Sequence, residues 1–462
     1  MIMQEIVDRF EKQAPMGVML RAVLENVFAE ERLNALFEDA AQLQENRTLM
    51  FSAVADMMGL VALKVHRTVH AAYQAKKREL AVTAKAVYDK LQRMEPGVSR
   101  KVVCETAVAI RQILDKTRGA WPRLLPGYRV KILDGNHLRR TQRRLQELSA
   151  LNAAPLPGHC LVVLDPERKL VIDVFPCEDG HAQERSLLPA VLETVQPRDL
   201  WIADRNFCTS GFLTGIAAQG GYFIIRAHGS SLPHELLGRR KKAGVTDSGV
   251  VYEQTVQCFV GNEPGPVLRR ITVELFEPTR DGDHEIHLLT NLPVRLAAST
   301  VADLYRDRWT IETAFQEVAA NLEGEIETLG YPRAALFAFC MALVAFNLVS
   351  VIRAAMRAAH PAEETKKDVS IYYVCDEIAH TYRGLSIAID DRYWTKTYAS
   401  LTPTRLARQL LRIARSADLS RYEKHPRGPK KPKKPLAKKG RNHVSTARVL
   451  TQSRGYKVQT IS

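Results

Sequence analysis

The feature that most limits the fold is a series of short apolar runs between residues 130 and 227. VKIL (130–133) leads into Asp134 and Gly135, which read as the strand's end and a turn. HCLVVL (159–164) and KLVIDVF (169–175) flank DPER, a hairpin with Pro166 in its turn. QERSLLPAVLETV has helical periodicity, LWIA (200–203) is another short buried strand ending at Asp204, TSGFLTGIAAQ is a helix, and YFIIRA (222–227) is a last strand. The order is three strands, helix, strand, helix, strand, which places the chain in the α/β class. Residues 228–296 alternate polar and apolar (VVYEQTVQCFV, RRITVELF, EIHLLTNL) and read as an inserted β-rich meander. Residues 1–120 carry only helical patterns, and helical pattern returns from about Ser299 to 420. The expected units are therefore a helical N-terminal domain (1–120), an α/β domain (121–227 and 297–420), the insertion (228–296) and a tail (421–462).

Charge singles out the tail. From Arg421 to Ser462 there are 13 Lys and Arg against one acid, Glu423, a net +12 of the chain's +15. HPRGPKKPKKPLAKKGRNH has almost nothing to bury and is expected to be a disordered, solvated segment. Its Lys430, Lys431, Lys433 and Lys434 suit a polyanion such as DNA, bound by counterion release without regard to sequence; a merely solubilising tail is the alternative. The seven cysteines are far apart, odd in number and without a CxxC pair, which fits a reduced, cytoplasmic compartment. MIMQEIVDRFEKQAP lacks the features of a secretory signal. AALFAFCMALVAFNLVSVI (334–352) approaches bilayer length, but Asn347 and Ser350 interrupt it, so a buried core helix and no membrane partner are expected. In the N-terminal part, TAKAVYDKLQRM, EPGVS and RKVVCETAVAIRQIL read as helix, turn, helix, with Ser99 as N-cap. The pair is either a DNA-reading helix-turn-helix or two ordinary bundle helices.

Three carboxylates stand out by position. Asp134 and Asp204 follow buried strands, where open α/β sheets place ligand sites. Glu312 lies in YRDRWTIETAFQEV (305–318). On one continuous helix Tyr305, Arg308 and Glu312 fall within about 60° of each other, beside an apolar stripe of Leu304, Ile311, Phe315, Val318 and Leu322. Carboxylates gathered at one spot repel unless a cation neutralises them, and hard oxygen ligands suit Mg²⁺, with Mn²⁺ as substitute. Such a centre supports in-line displacement at phosphorus. The plainer readings are two Asp turns and an Arg308–Glu312 surface pair. No GxxxxGK[ST] is present, and the thirteen histidines show no zinc spacing.

Asp134 in ILDGNHL, Asp204 in WIADRNF and Glu312 in YRDRWTIETAF together resemble the acidic triad of DDE transposases of bacterial insertion sequences. The spacing from Tyr305 to Glu312 resembles the Tyr-x2-Arg-x3-Glu-x6-Lys signature of one branch, and the likeness runs from roughly 45 to 450. It implies an RNase H-like fold of strand order 3-2-1-4-5 with a β insertion before the last acid. It also implies a metal triad of Asp134, Asp204 and Glu312, and contacts from Tyr305 and Arg308 to the DNA backbone. Trp309 would stack on a base or sugar, or else pack in the core. The signature's lysine is absent, since position 319 holds Ala319, and Gln316 is the candidate to replace its contact. The implied activity is metal-dependent cutting and joining of double-stranded DNA at element ends by a homodimer on the nucleoid. A nuclease without strand transfer and a catalytically dead DNA-binding protein are the alternatives.

Overall fold

The computed structural model describes residues 2–142, 144–149, 151–227, 232–261, 263–279, 282–360, 369–424 and 442–460. Among them, nine strands form one mixed sheet: β1 (Arg129–His137), β2 (His159–Asp165), β3 (Leu170–Cys177), β4 (Asp199–Ala203), β5 (Tyr222–Arg226), β6 (His234–Thr246), β7 (Gly249–Val260), β8 (Glu263–Leu275) and β9 (Glu285–Thr290). Their order is β3-β2-β1-β4-β5-β9-β8-β7-β6. β1, β4 and β5 are parallel, with Leu133 beside Ala203 and Ala203 beside Ile225. β2 and β3 form the hairpin, antiparallel to β1 on its other side. The strands of the inserted segment do not stand apart from this sheet. β9 pairs with β5, and β8, β7 and β6 follow outward as antiparallel neighbours.

The sheet's two edges are finished differently. At β3, Asn347 accepts the Val171 N–H and donates to the Val171 carbonyl, both at 2.8 Å, so one side chain stands in for a missing strand. Ser350 Oγ donates to the Lys169 carbonyl one turn further on. The polar residues that interrupt the apolar stretch are thus the ones that close this edge. Their helix, Pro332–Ala359, is buried along its apolar length and packs against β3 and the helix Pro96–Thr117. At the other edge β6 is exposed, carries Arg239, Lys241 and Lys242, and is irregular at Gly238 (φ +69°) and Gly244 (φ +144°).

Three expectations need correction. The helix after EPGVS begins at Pro96, and Ser99 is fully buried inside it, its Oγ directed to the Glu95 carbonyl. No side chain caps this helix; the Glu95 carboxylate, just ahead of its first turn, instead accepts the amides of Gln42, Leu43 and Gln44 from another segment. This helix buries Val98, Val102, Val103 and Ile110 in the shared core, so it is not a free-standing recognition helix. The segment 421–462 is not disordered throughout. His443–Ser445 pairs with the short strand Ala154–Leu156, and the helix Thr446–Arg454 seats Leu450 against Leu145 and Leu148. Tyr456 Oη donates to the fully buried Glu178 at 2.6 Å, beside the Arg333–Glu178 ion pair. Lys430, Lys431, Lys433 and Lys434 lie outside the described residues. Finally, residues 305–318 are not one helix. Ala298–Arg306 and Trp309–Asn321 meet at Asp307 and Arg308, where bonds run from each amide to the carbonyl three residues back.

Candidate active site

β1 does not stop at Asp134. Its parallel pairing with β4 ends at Leu133, while its antiparallel pairing with β2 continues to His137. Asp134 therefore sits where β1 loses one neighbour, and a carboxylate there has room on the β4 side. Asp204 is the first residue beyond β4 and caps the single turn Arg205–Phe207 by accepting the Asn206 N–H at 2.8 Å. The parallel register brings the two aspartates out side by side.

Glu312 reaches them through Arg308. One guanidinium nitrogen lies 3.4 Å from Asp134 Oδ2 and the other 2.8 Å from Glu312 Oε1. The tightened turn at Asp307 and Arg308 keeps Arg308 beside Glu312, so the site assembles even though the helix is interrupted. Burial pushes the Asp134 carboxyl up to about 7; Arg308 works against this, and the Asp204 and Glu312 charges add to it. Tyr305 is buried, its hydroxyl pushed up to about 12 by that burial, and Arg308 lies over its ring. It braces the arginine from inside. Trp309 is 58% exposed with Arg308 5.1 Å from its ring centre, so core packing is not its role. Gln316 is exposed one turn beyond Glu312 on the same helix.

Asp134 and Asp204 offer adjacent hard oxygen donors of the kind divalent cations take. A cation here would relieve the burial cost that Asp134 carries. Among the described residues no three acidic, His or Cys side chains already form a cage, because Arg308 holds Glu312 and shares Asp134. The donor chemistry fits a divalent ion, with the arginine performing the neutralisation in this arrangement.

Sequence reasoning misses Glu184. It begins the short helical segment after β3, its carboxyl raised by burial and by the Asp204 charge, and it accepts from Asn206 Nδ2. Nothing in its spacing from Asp134 or Asp204 marks it, since a loop and a helix cap bring it there. The one available signal is Gly135, read as a turn glycine.

Residues 126–348 match the Transposase DDE domain family. Just under half of the chain is thus similar to a transposase DDE domain. A Sinorhizobium fredii (strain NBRC 101917 / NGR234) protein named "Putative transposase y4zB" is 29% identical over 167 residues, 35% of this chain and 44% of that protein. The match thus spans less than half of that relative. A solved piggyBac transposase synaptic complex with hairpin DNA is similar over 86% of this chain and 85% of its own, at 12% identity and a TM-score of 0.40.

Proposed function

We propose that this chain cuts DNA at the ends of its own mobile element and joins the freed 3′-hydroxyl to target DNA. The observation that carries this reading is the emergence of Asp134 and Asp204 from adjacent parallel strands with Glu312 tied in through Arg308. Asp134, Asp204 and Glu312 are the residues that would hold Mg²⁺ or Mn²⁺, which supplies activation of the attacking oxygen and stabilisation of the leaving one.

The chain's own groups orient the DNA. Arg308 Nε is buried and has no acceptor among the described residues, so a phosphate oxygen at the scissile position would satisfy it. Trp309, exposed beside it, offers a face for a base or sugar, and Gln316 offers an amide one turn further along. Lys430, Lys431, Lys433 and Lys434 supply sequence-indifferent grip on the duplex. The ends are read by the helical residues 1–120 through surfaces other than the buried side of Pro96–Thr117. Two ends require two copies, so the working form is a homodimer on DNA in the cytoplasm.

The test is cleavage of DNA carrying the element's flanking ends with Mg²⁺ or Mn²⁺, comparing wild type with Asp134→Asn, Asp204→Asn and Glu312→Gln. Metal-dependent cuts lost in each variant while DNA binding persists support the reading. Cuts that survive all three place the chemistry elsewhere. Cleavage without joining would leave a nuclease.

A further inference from the structure

Asp134 and Asp204 rest on different supports. Asp134 lies inside β1, held by strand pairing on one side. Asp204 heads a single turn of three residues, too short to be rigid by itself. Something must fix that turn against β1 if the two carboxylates are to keep one spacing.

We propose that Glu184, assisted by Arg185, is the positioning residue that locks the Asp204 turn to β1; this rests on the metal-dependent reading above. The pair grips Asn206 twice. Glu184 accepts from the Asn206 side-chain amide, and Arg185 Nε donates to the Asn206 carbonyl at 2.6 Å. The Asn206 N–H in turn donates to Asp204 Oδ1, so whatever holds Asn206 orients the aspartate. The opposite side of the Glu184 carboxyl rests on β1. A Cβ at Gly135 would lie 1.9 Å from Glu184 Oε1, and His137 Nδ1 is 3.7 Å from the same oxygen. The residue next to Asp134 is therefore a glycine because the carboxylate that holds Asp204 occupies the space a side chain would need. Gly135 has no left-handed backbone to explain it otherwise.

This makes an ordered prediction. Glu184→Gln keeps an oxygen for Asn206, whereas Glu184→Ala removes it. Gly135→Ala displaces the Glu184 carboxyl and should act like Glu184→Ala. In a protein already lacking the Glu184 side chain, Gly135→Ala should do no further harm. Loss of an outer support costs about 10- to 100-fold in metal affinity.

Two readouts are taken on the full chain: Mn²⁺ affinity by calorimetry, and metal-free amide exchange across residues 204–208. Glu184→Ala and Gly135→Ala should each weaken Mn²⁺ binding at least about tenfold and speed exchange in the turn. Glu184→Gln should stay within about threefold, and the double variant should match Glu184→Ala alone. Equal damage from Gln and Ala would mean the carboxylate's charge acts on the ion directly, which overturns positioning. Unchanged exchange in Glu184→Ala overturns the clamp. If Asp134→Asn binds Mn²⁺ as tightly as wild type, the metal reading fails, and the metal-free exchange still decides the clamp.

Discussion

Replacing Asp134 by Asn should stabilise the metal-free protein at alkaline pH and do little at acid pH. The side chain is 19% exposed, and its carboxyl is raised from an ordinary 3.8 to about 7, chiefly by burial. A carboxyl raised on folding binds its proton more tightly in the folded state, so it lowers stability as pH rises through the window from 3.8 to about 7. At 1.36 kcal/mol per pH unit, the cost of ionising Asp134 is about 0.6 kcal/mol at pH 4 and about 4 kcal/mol at pH 8. The Asn variant carries no such cost. For 462 residues the unfolding entropy is about 1 kcal/mol/K, so the variant should melt about 4 °C above wild type at pH 8 and less than about 1 °C above it at pH 4. The assay is thermal unfolding in a chelator across that range, repeated with Mn²⁺, which should raise the wild-type midpoint more than the variant's. An Asn variant no more stable than wild type at pH 8, or equally stabilised at both pH values, would refute the account of Asp134 as a carboxylate held at a cost.

Four further outcomes are expected. Replacing residues 425–441 with a neutral linker should weaken binding to all duplexes alike and flatten its salt dependence, read by fluorescence anisotropy at several salt concentrations. Tyr456→Phe should cost about 1.5–3 kcal/mol in denaturant unfolding, because the fully buried Glu178 loses a donor. Asn347→Leu should cost about 2–3 kcal/mol by leaving the Val171 amide and carbonyl unpaired, and a gain in stability would count against edge closure. Trp309→Ala should leave the melting temperature unchanged and weaken DNA binding about 5- to 150-fold, from about 1–3 kcal/mol of stacking.

The strands were legible because VKIL, HCLVVL, LWIA and YFIIRA are dense apolar runs, and burial on both sheet faces requires such runs. Asp134 and Asp204 were legible for the same reason, as polar residues at the limits of those runs. The end of β1 was misread because Asp-Gly is a strong local turn signal. Here pairing with β2 overrides it, and the glycine answers a contact from Glu184, 49 positions later in the chain, that no periodicity encodes. The interruption at Asp307 leaves no mark in the sequence, because Asp307 and Arg308 keep helical dihedrals and only the bonding tightens. Ser99 reads as a cap because it precedes a clear helical run, whereas the helix already opens at Pro96, whose fixed φ suits the first helical position. HVSTARVL was absorbed into a tail by the lysines before it, although its own apolar residues find Leu145 and Leu148 across the fold.

The unequal edges of the sheet bear on how two copies can meet. Strand addition at β3 is pre-empted by Asn347, so a second molecule finds no vacant ladder there. At β6 the ladder is open, yet two such edges brought together would oppose Arg239, Lys241 and Lys242 with their own likeness. Repulsion of that kind vanishes when a strand of phosphates runs between the copies. A sheet finished in this way discourages self-pairing at both edges, by a filled ladder at one and by like charge at the other.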